Sequence, residues 1–260
     1  MTTPSAGPWP GRFVWHDLMT KDGATAERFY TALFGWRTEG GGMGPPASRM
    51  VQCGPGPIGG IVEEPNLPAP PHWLPYAAVA NVDAAAQHVR KLGGQVHMGP
   101  ADIPGTGRFA IVADPQGAVF AIYQGQPGSH GFDPDLGIPG RICWNEVYST
   151  DDVAAQRFYT ALFGWREEPK DIGPLGTYRV QNLDGKQAGG LMKNPMPGAP
   201  SCWIVYFFVT DLAAATAKAV QLGAQAMMEN SPIPGVGAFS MLADPTGAMF
   251  ALFQPSGAPC

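Results

Sequence analysis

The chain has 260 residues, a formal net charge of −5 and only 14% charged residues, alongside 35 glycines and 28 prolines. That length accommodates two domains, each burying a core of its own, and the Gly/Pro content implies short elements joined by many turns. No basic run offsets the negative charge, which excludes the electrostatic footprint of a nucleic-acid binder, and no apolar stretch approaches the roughly 20 residues of a membrane-spanning helix.

Met1 to Gly11 is Pro/Gly-rich and lacks the charged start and apolar centre of a signal peptide. Cys53, Cys143, Cys202 and Cys260 are scattered with no C-x-x-C spacing, so neither a disulfide framework nor a zinc site is expected. Reduced thiols in a cytoplasmic protein follow as the expectation. A strand is predicted from Phe13 to Met19. A helix comes next, with Asp22 as N-cap, Ala26, Phe29, Tyr30, Leu33 and Phe34 on one buried face, and Gly35 as a left-handed stop. Apolar runs at Met50–Cys53 and Ile58–Val62 read as strands. The Pro-rich stretch from Glu64 to Pro75 joins two modules, and beyond it the pattern restarts. A strand over Tyr76–Ala80 leads to a helix carrying Val82, Ala86, Val89 and Leu92 that stops at Gly93. More strands follow, the last at Ala118–Gln124.

Gly125 to Gly140 has linker composition, and after it the chain repeats itself. Trp15-His16-Asp17 returns as Trp144-Asn145-Glu146, and Phe29-Tyr30-Thr31-Ala32-Leu33-Phe34-Gly35-Trp36 returns as Phe158 to Trp165, both 129 positions later. Asp114-Pro115-Gln116-Gly117 likewise returns as Asp244-Pro245-Thr246-Gly247. The second copy repeats the element order. There is a strand from Ile142 to Tyr148, a helix capped by Asp151 and Gly164, and strands at Tyr178–Asn182 and Ala188–Met192. After the Pro-rich break Asn194–Pro200 come a strand at Trp203–Val209, a helix with Leu212, Ala215, Ala219 and Leu222, and a final strand at Ala248–Gln254. The predicted fold is therefore α+β, with one domain at 11–124, a linker at 125–139 and a second domain at 140–255. Each domain contains the order β-α-β-β-β twice. A repeat this long means duplicated domains rather than a solenoid, so any site should occur twice or have decayed in one copy.

These motifs, in this order and duplicated, resemble the vicinal oxygen chelate superfamily of glyoxalase I, extradiol dioxygenases and bleomycin-binding proteins. The resemblance spans nearly the whole chain. It implies paired βαβββ modules, each pair forming a curved, partly open sheet around a pocket. It also implies a divalent metal held there by His and Glu in the metal-dependent members. The family's first ligand precedes the helix-capping Asp by seven residues, a place held here by Trp15 and Trp144, neither of which ligates a metal. His16 and Asn145 lie one residue on, which turns a strand side chain to the opposite face. The remaining ligand places fall on Ile61 and Leu191, on Ala77 and Phe207 within one residue, and on Ala121 and Ala251. Glu63 shares the parity of Ile61 and is the one carboxylate that a small slip could promote. No metal site and no cofactor are expected.

What remains is a pair of apolar funnels. Trp15, Asp17, Met19, Ala77, Val79, Ala121 and Tyr123 would line one. Trp144, Glu146, Tyr148, Phe207, Val209, Ala251 and Phe253 would line the other. A concave apolar wall with one or two convergent polar groups is the usual make-up of a small-molecule site, although each aromatic taken singly is more often plain core. Asp17 and Glu146 occupy matching places and are the candidate catalytic acid or base, set against a structural role in a hydrogen bond or in an ion pair with an Arg such as Arg108. Ala77 against Phe207 makes the first pocket the roomier and the favoured one. His72, His88, His97 and His130 form no ligand-like cluster, Ser129-His130 has no nucleophilic context, and Gly40-Gly41-Gly42 and Gly59-Gly60 lack the features of a phosphate loop. The leading expectation is a protein that binds a small apolar or carbonyl-bearing molecule without a metal. The alternatives are an enzyme of the same fold using Asp17 or Glu146 (lyase, isomerase or hydroxylase-like), a metal-dependent glyoxalase or dioxygenase, and an interaction protein with vestigial pockets. Partners reduce to a small-molecule ligand, with neither nucleic acid nor membrane. The chain is expected as a monomer whose two domains mimic a dimer, or as a homodimer.

Overall fold

The computed structural model describes residues 10–40, 48–126 and 137–257. Residues 1–9, Gly41, Gly42, residues 127–136 of the linker with Ser129 and His130, and Cys260 lie outside the described residues.

In the first copy, β1 (Phe13–Thr20) leads to α1 (Gly23–Phe34), then β2 (Arg37–Gly40), β3 (Arg49–Cys53) and β4 (Gly56–Glu63). Its second module runs β5 (His72–Ala78), α2 (Val82–Lys91), β6 (Gln95–Ile103), β7 (Gly107–Ala113) and β8 (Val119–Gly125). The second copy repeats this as β9 (Ile142–Ser149), α3 (Asp152–Phe163), β10 (Arg166–Asp171), β11 (Thr177–Leu183) and β12 (Lys186–Lys193). It closes with β13 (Cys202–Phe208), α4 (Leu212–Gln221), β14 (Gln225–Ile233), β15 (Gly237–Ala243) and β16 (Met249–Pro255). The helix ends sit where capping chemistry places them. Asp22 and Asp151 accept the backbone N–H groups of Thr25 and Ala154, and Gly35 and Gly164 adopt φ of 72° and 73°, which an L side chain resists.

The strands form two open eight-stranded sheets, in the orders β2-β3-β4-β1-β5-β8-β7-β6 and β10-β11-β12-β9-β13-β16-β15-β14. The chain gathers into two compact units. Among the described residues, one holds 10–15, 75–126 and 145–203, and the other holds 16–40, 48–74, 137–144 and 204–257. Each unit thus combines the first module of one copy with the second module of the other.

In the first of these units, α2 and α3 bury Val82, Ala86, Val89, Ala155, Phe158, Tyr159 and Phe163 against Ala77, Phe120, Ile122, Val147 and Leu191 of the strands. The other unit is centred on a nest of aromatic rings. Tyr30, Phe34, Trp36, Trp73, Phe207 and Phe250 lie with ring centroids 5.0–6.3 Å apart in edge-on, tilted and stacked pairs. Each unit locks its helix to an Asp-Pro-x-Gly turn by one buried hydrogen bond. Tyr30 Oη donates to Asp244 at 3.0 Å in one, and Tyr159 Oη donates to Asp114 at 2.9 Å in the other. The same Asp244 carboxylate also accepts the backbone N–H groups of Thr246 and Ala248, and Asp114 those of Gln116 and Ala118. Burial of Asp114 pushes its carboxyl above the ordinary range despite these donors.

Candidate functional site

The opening strand alternates as its sequence implies. On β1, His16, Leu18 and Thr20 are buried while Trp15, Asp17 and Met19 are half-buried. In the unit containing Asp17, β1 runs parallel to β4 with Asp17 opposite Gly60 and Met19 opposite Val62, and β3 adds Met50 opposite Gly60. Partners in register share a face. Asp17, Met19, Met50, Gly60 and Val62 therefore form one face, and Asp17, Met19, Met50 and Val62 are each partly exposed. Gly60 makes room for the carboxylate, since a Cβ there would lie 2.5 Å from Asp17 Oδ1.

Ile61 and Glu63 belong to the opposite face, with Leu18 and Thr20. Glu63 accepts the Gly23 N–H at the start of α1 at 3.2 Å and faces Arg49, which also pairs with Glu27 at 2.8 Å. Its carboxylate serves a helix N-terminus, where negative charge is favourable, and is directed away from Asp17. His16 also lies on that buried side, 2% exposed.

The corresponding face in the other unit is closed. Gly190 lies opposite Glu146 and Met192 opposite Tyr148, and Glu146, Tyr148 and Met192 are only 4–5% exposed. Tyr178 on β11 donates its hydroxyl to Glu146 Oε2 at 2.5 Å. A hydroxyl bonded to a carboxylate at this length is the strong, charge-assisted kind. Cys202 sits beside the pair, and burial followed by the nearby Glu146 charge pushes its thiol up to about 11. His72 holds the equivalent place in the first copy. Burial lowers its imidazole pKa, and its Nδ1 lies 2.8 Å from the Pro70 carbonyl.

The later strands contribute differently from expectation. β5 runs parallel to β8 with Tyr76 opposite Ala121 and Ala78 opposite Tyr123, so Ala77 pairs with Ile122 on the other face and joins the helix-packed core. β13 and β16 repeat this. Tyr206 is opposite Ala251, Phe208 is opposite Phe253, and Phe207 turns into the aromatic nest. Placing Ala77 with Ala121 and Tyr123, and Phe207 with Ala251 and Phe253, is thus corrected by one residue, to Tyr76 and Tyr206. Val79 and Val209 lie just past β5 and β13, each donating its backbone N–H to the last strand, at Tyr123 and Phe253. Tyr123 donates its hydroxyl to the Thr106 carbonyl at 3.0 Å. Trp144 is half-buried on β9, in phase with Glu146. Arg108, considered as an ion-pair partner for the candidate acids, holds Asp83 and Asp102 instead. His88 and His97 are exposed. Two open clefts, of about 430 and 300 Å³, lie in the unit that contains Glu146. Thr150, Lys193 and Met196 border one, and Asn81, His88 and Val79 border the other; neither includes Glu146.

Two family models match this chain, the Glyoxalase/Bleomycin resistance protein/Dioxygenase superfamily at residues 12–122 and a Glyoxalase-like domain at residues 143–253. The chain belongs to that superfamily and carries its domain twice in tandem. Among its relatives, the putative glyoxylase CFP32 of Mycobacterium tuberculosis (strain CDC 1551 / Oshkosh) is 36% identical over 93% of this chain and 94% of its own. The anthracycline biosynthesis protein DauV of Streptomyces sp. (strain C5) is 31% identical over 94% of each chain. The Mn(II)-bound glyoxalase from Novosphingobium aromaticivorans shares the fold at a TM-score of 0.65 and 15% identity, covering 95% of this chain and 82% of that one. The 2,3-dioxygenase LapB from Pseudomonas sp. KL28 does so at 0.66 and 12%, covering 96% and 93%.

The donor set does not fit a divalent ion such as the Mn(II) named for the Novosphingobium aromaticivorans glyoxalase. Among the described residues, no three His, Cys, Asp or Glu side chains gather as a metal site would require. Trp15 and Trp144, at the first ligand place by resemblance, have no atom that binds a hard cation. The chemistry within reach of the two opening-strand faces is that of a carboxylate set among apolar and aromatic side chains.

Proposed function

We propose that this protein binds a small, largely apolar molecule that carries a hydroxyl group, alone or beside a carbonyl, without a metal, and that the working face is that of the first copy. The observation that carries this proposal is the contrast between matching faces. Glu146 is buried and hydrogen-bonded to Tyr178, whereas Asp17, Met19, Met50 and Val62 are all partly exposed. An accessible apolar surface with one convergent charge suits a ligand that is mostly hydrophobic with one polar handle. The relatives' names fit such a role. An anthracycline is a polycyclic aromatic ketone, and a chain related to an anthracycline biosynthesis protein would meet a ligand of that character with the Met19, Met50 and Val62 surface.

The test is a thermal-shift and calorimetric screen of aromatic and carbonyl compounds against the wild type, Asp17→Asn and Glu146→Gln. Saturable binding lost in Asp17→Asn and kept in Glu146→Gln supports the assignment. Binding that ignores Asp17 and disappears with Glu146→Gln overturns it. Stoichiometric divalent metal in protein purified without chelators overturns the metal-free part.

A further inference from the structure

The two copies carry the same face in different states, and the difference defines a chemical shape. In the unit containing Glu146, Arg179 lies opposite Leu191, so the preceding residue, Tyr178, begins the row that holds Met192 and Tyr148. In the unit containing Asp17, Arg49 lies opposite Ile61, so its preceding residue, Ser48, begins the row that holds Val62 and Met19. Ser48 is therefore the counterpart of Tyr178, as Asp17 is of Glu146. Arg49 reaches α1 through Glu27, which directs Ser48 to the opposite side, toward the Asp17 face. Ser48 is 4% exposed, and its Oγ has no hydrogen-bond partner. A hydroxyl so buried normally has one, so Ser48 Oγ has hydrogen-bonding capacity that the described chain leaves unused.

From this juxtaposition we infer that the first copy takes a phenol-bearing ligand, whose ring occupies the place that the Tyr178 ring fills in the second copy and whose hydroxyl donates to Asp17 as Tyr178 donates to Glu146. The inference rests on the binding role proposed above and specifies its ligand. Tyr to Ser removes one phenol ring from that position, and Glu to Asp draws the carboxylate back by one methylene. The Asp17 carboxylate rests in the space that a Cβ on Gly60 would take, close against the sheet. A carboxylate accepts up to about four hydrogen bonds, so a ligand hydroxyl can join protein donors already on Asp17. The Ser48 hydroxyl meets the far edge of the ring and favours ligands with an acceptor para to the phenol.

The experiment uses full-length protein with ¹³C-methyl methionines, titrated with phenol and with benzene. Phenol is expected to shift Met19 and Met50 but not Met192, and to bind roughly tenfold or more tightly than benzene, the worth of one hydrogen bond to a charged acceptor. Ser48→Tyr should abolish the Met19 and Met50 shifts while leaving Met192 at its wild-type position, which also reports that the variant is folded. Tyr178→Ser should open the second copy, adding a Met192 shift and a second phenol per chain. Absence of phenol binding, equal affinity for phenol and benzene, or phenol binding unchanged by Ser48→Tyr overturns the inference. Failure of a folded Tyr178→Ser protein to gain a site does so too. If a non-phenolic hydroxyl compound binds in an Asp17-dependent way while phenol does not, the phenol assignment alone falls. If nothing binds at Asp17, both proposals fall.

Discussion

Removing the hydroxyl of Tyr30 should destabilise the protein more than the same change at Tyr159. Both rings are fully buried, and both hydroxyls donate to the Asp of an Asp-Pro-x-Gly turn. The environments differ in one bond. Trp73 Nε1 donates to Tyr30 Oη at 3.0 Å, whereas Trp203 Nε1, edge-on to Tyr159 in the same way, lies near its hydroxyl but outside good hydrogen-bond geometry. Tyr159→Phe therefore removes one bond to a charged acceptor, a loss of about 1.5–3 kcal/mol. Tyr30→Phe removes such a bond and strands the buried Trp73 N–H as well, adding about 1–3 kcal/mol. The two terms share a network and need not add fully, so the expected excess for Tyr30→Phe is about 1–2 kcal/mol. Urea unfolding followed by tryptophan fluorescence would read this as a midpoint lower by roughly 0.5–1 M than that of Tyr159→Phe, at unchanged m. Equal midpoints, or a larger loss at Tyr159, would refute the assigned role of the Trp73 bond.

Tyr178→Phe leaves the buried Glu146 without its hydroxyl donor and should cost about 1.5–3 kcal/mol, read in the same urea titration; a neutral result would show that the pair is not a structural closure of that face. Gly59→Ala would place a Cβ 2.2 Å from the His16 carbonyl oxygen, which cannot swing aside, and should cost about 3 kcal/mol. Gly60→Ala meets only the Asp17 side chain and the Arg49 carbonyl, at 2.5 and 3.5 Å, so it should cost about 1 kcal/mol while displacing the carboxylate and weakening ligand binding in the calorimetric screen. For Asp114, burial raises the folded-state pKa above the ordinary 3.8, so the folded state binds the proton more tightly than the unfolded state. Its contribution to stability is full below that ordinary value and is lost as pH rises through the folded pKa. Urea midpoints measured from pH 4 to 7 should fall more steeply in the wild type than in Asp114→Asn, and parallel curves would contradict the shift.

How much of this was legible in the sequence depended on whether a local signal existed. The helices were plain because capping and periodicity agree: Asp22 and Gly35, and Asp151 and Gly164, bracket a 12-residue amphipathic stretch in each copy. The face of β1 was equally plain, since Trp15, Asp17 and Met19 alternate with buried His16, Leu18 and Thr20. The phase of β5 and β13 was not. Trp73 to Ala78 and Trp203 to Phe208 are buried on both faces, so hydropathy carries no alternation, and a family alignment one residue adrift passes unnoticed. Edge strand β10 is exposed throughout, and β2 nearly so; their polar residues resemble loop. The bond from Tyr30 to Asp244 joins residues 214 positions apart, and each reads locally as something complete, an aromatic on a helix face and a turn former. Ser48 was missed because it closes a Gly/Pro run and is polar; only continuing the β3–β4 register back from Arg49, where β3 begins, assigns it to the Asp17 face.

The sign of the charge on these faces constrains what the scaffold can do in this chain. A divalent cation in such a sheet attracts oxygen lone pairs and stabilises negative charge that develops on a bound carbonyl or diolate. Asp17 and Glu146 present the opposite polarity. A carboxylate repels an oxyanion and rewards a hydrogen-bond donor or a cation, so a ligand selected by Asp17 must bring a donor to it. The second copy already contains that solution, because Tyr178 supplies a neutral O–H to Glu146 and the face around the pair is buried. A duplicated domain can hold one face in the satisfied, closed form while the other remains available. The copies also differ on this face at Met19 against Tyr148, Met50 against Val180 and Val62 against Met192, but two exchanges bear on the hydrogen bond itself: Ser48 for Tyr178, and Asp17 for Glu146. Exchanging them in both directions asks whether binding follows those side chains or the rest of the copy in which they sit.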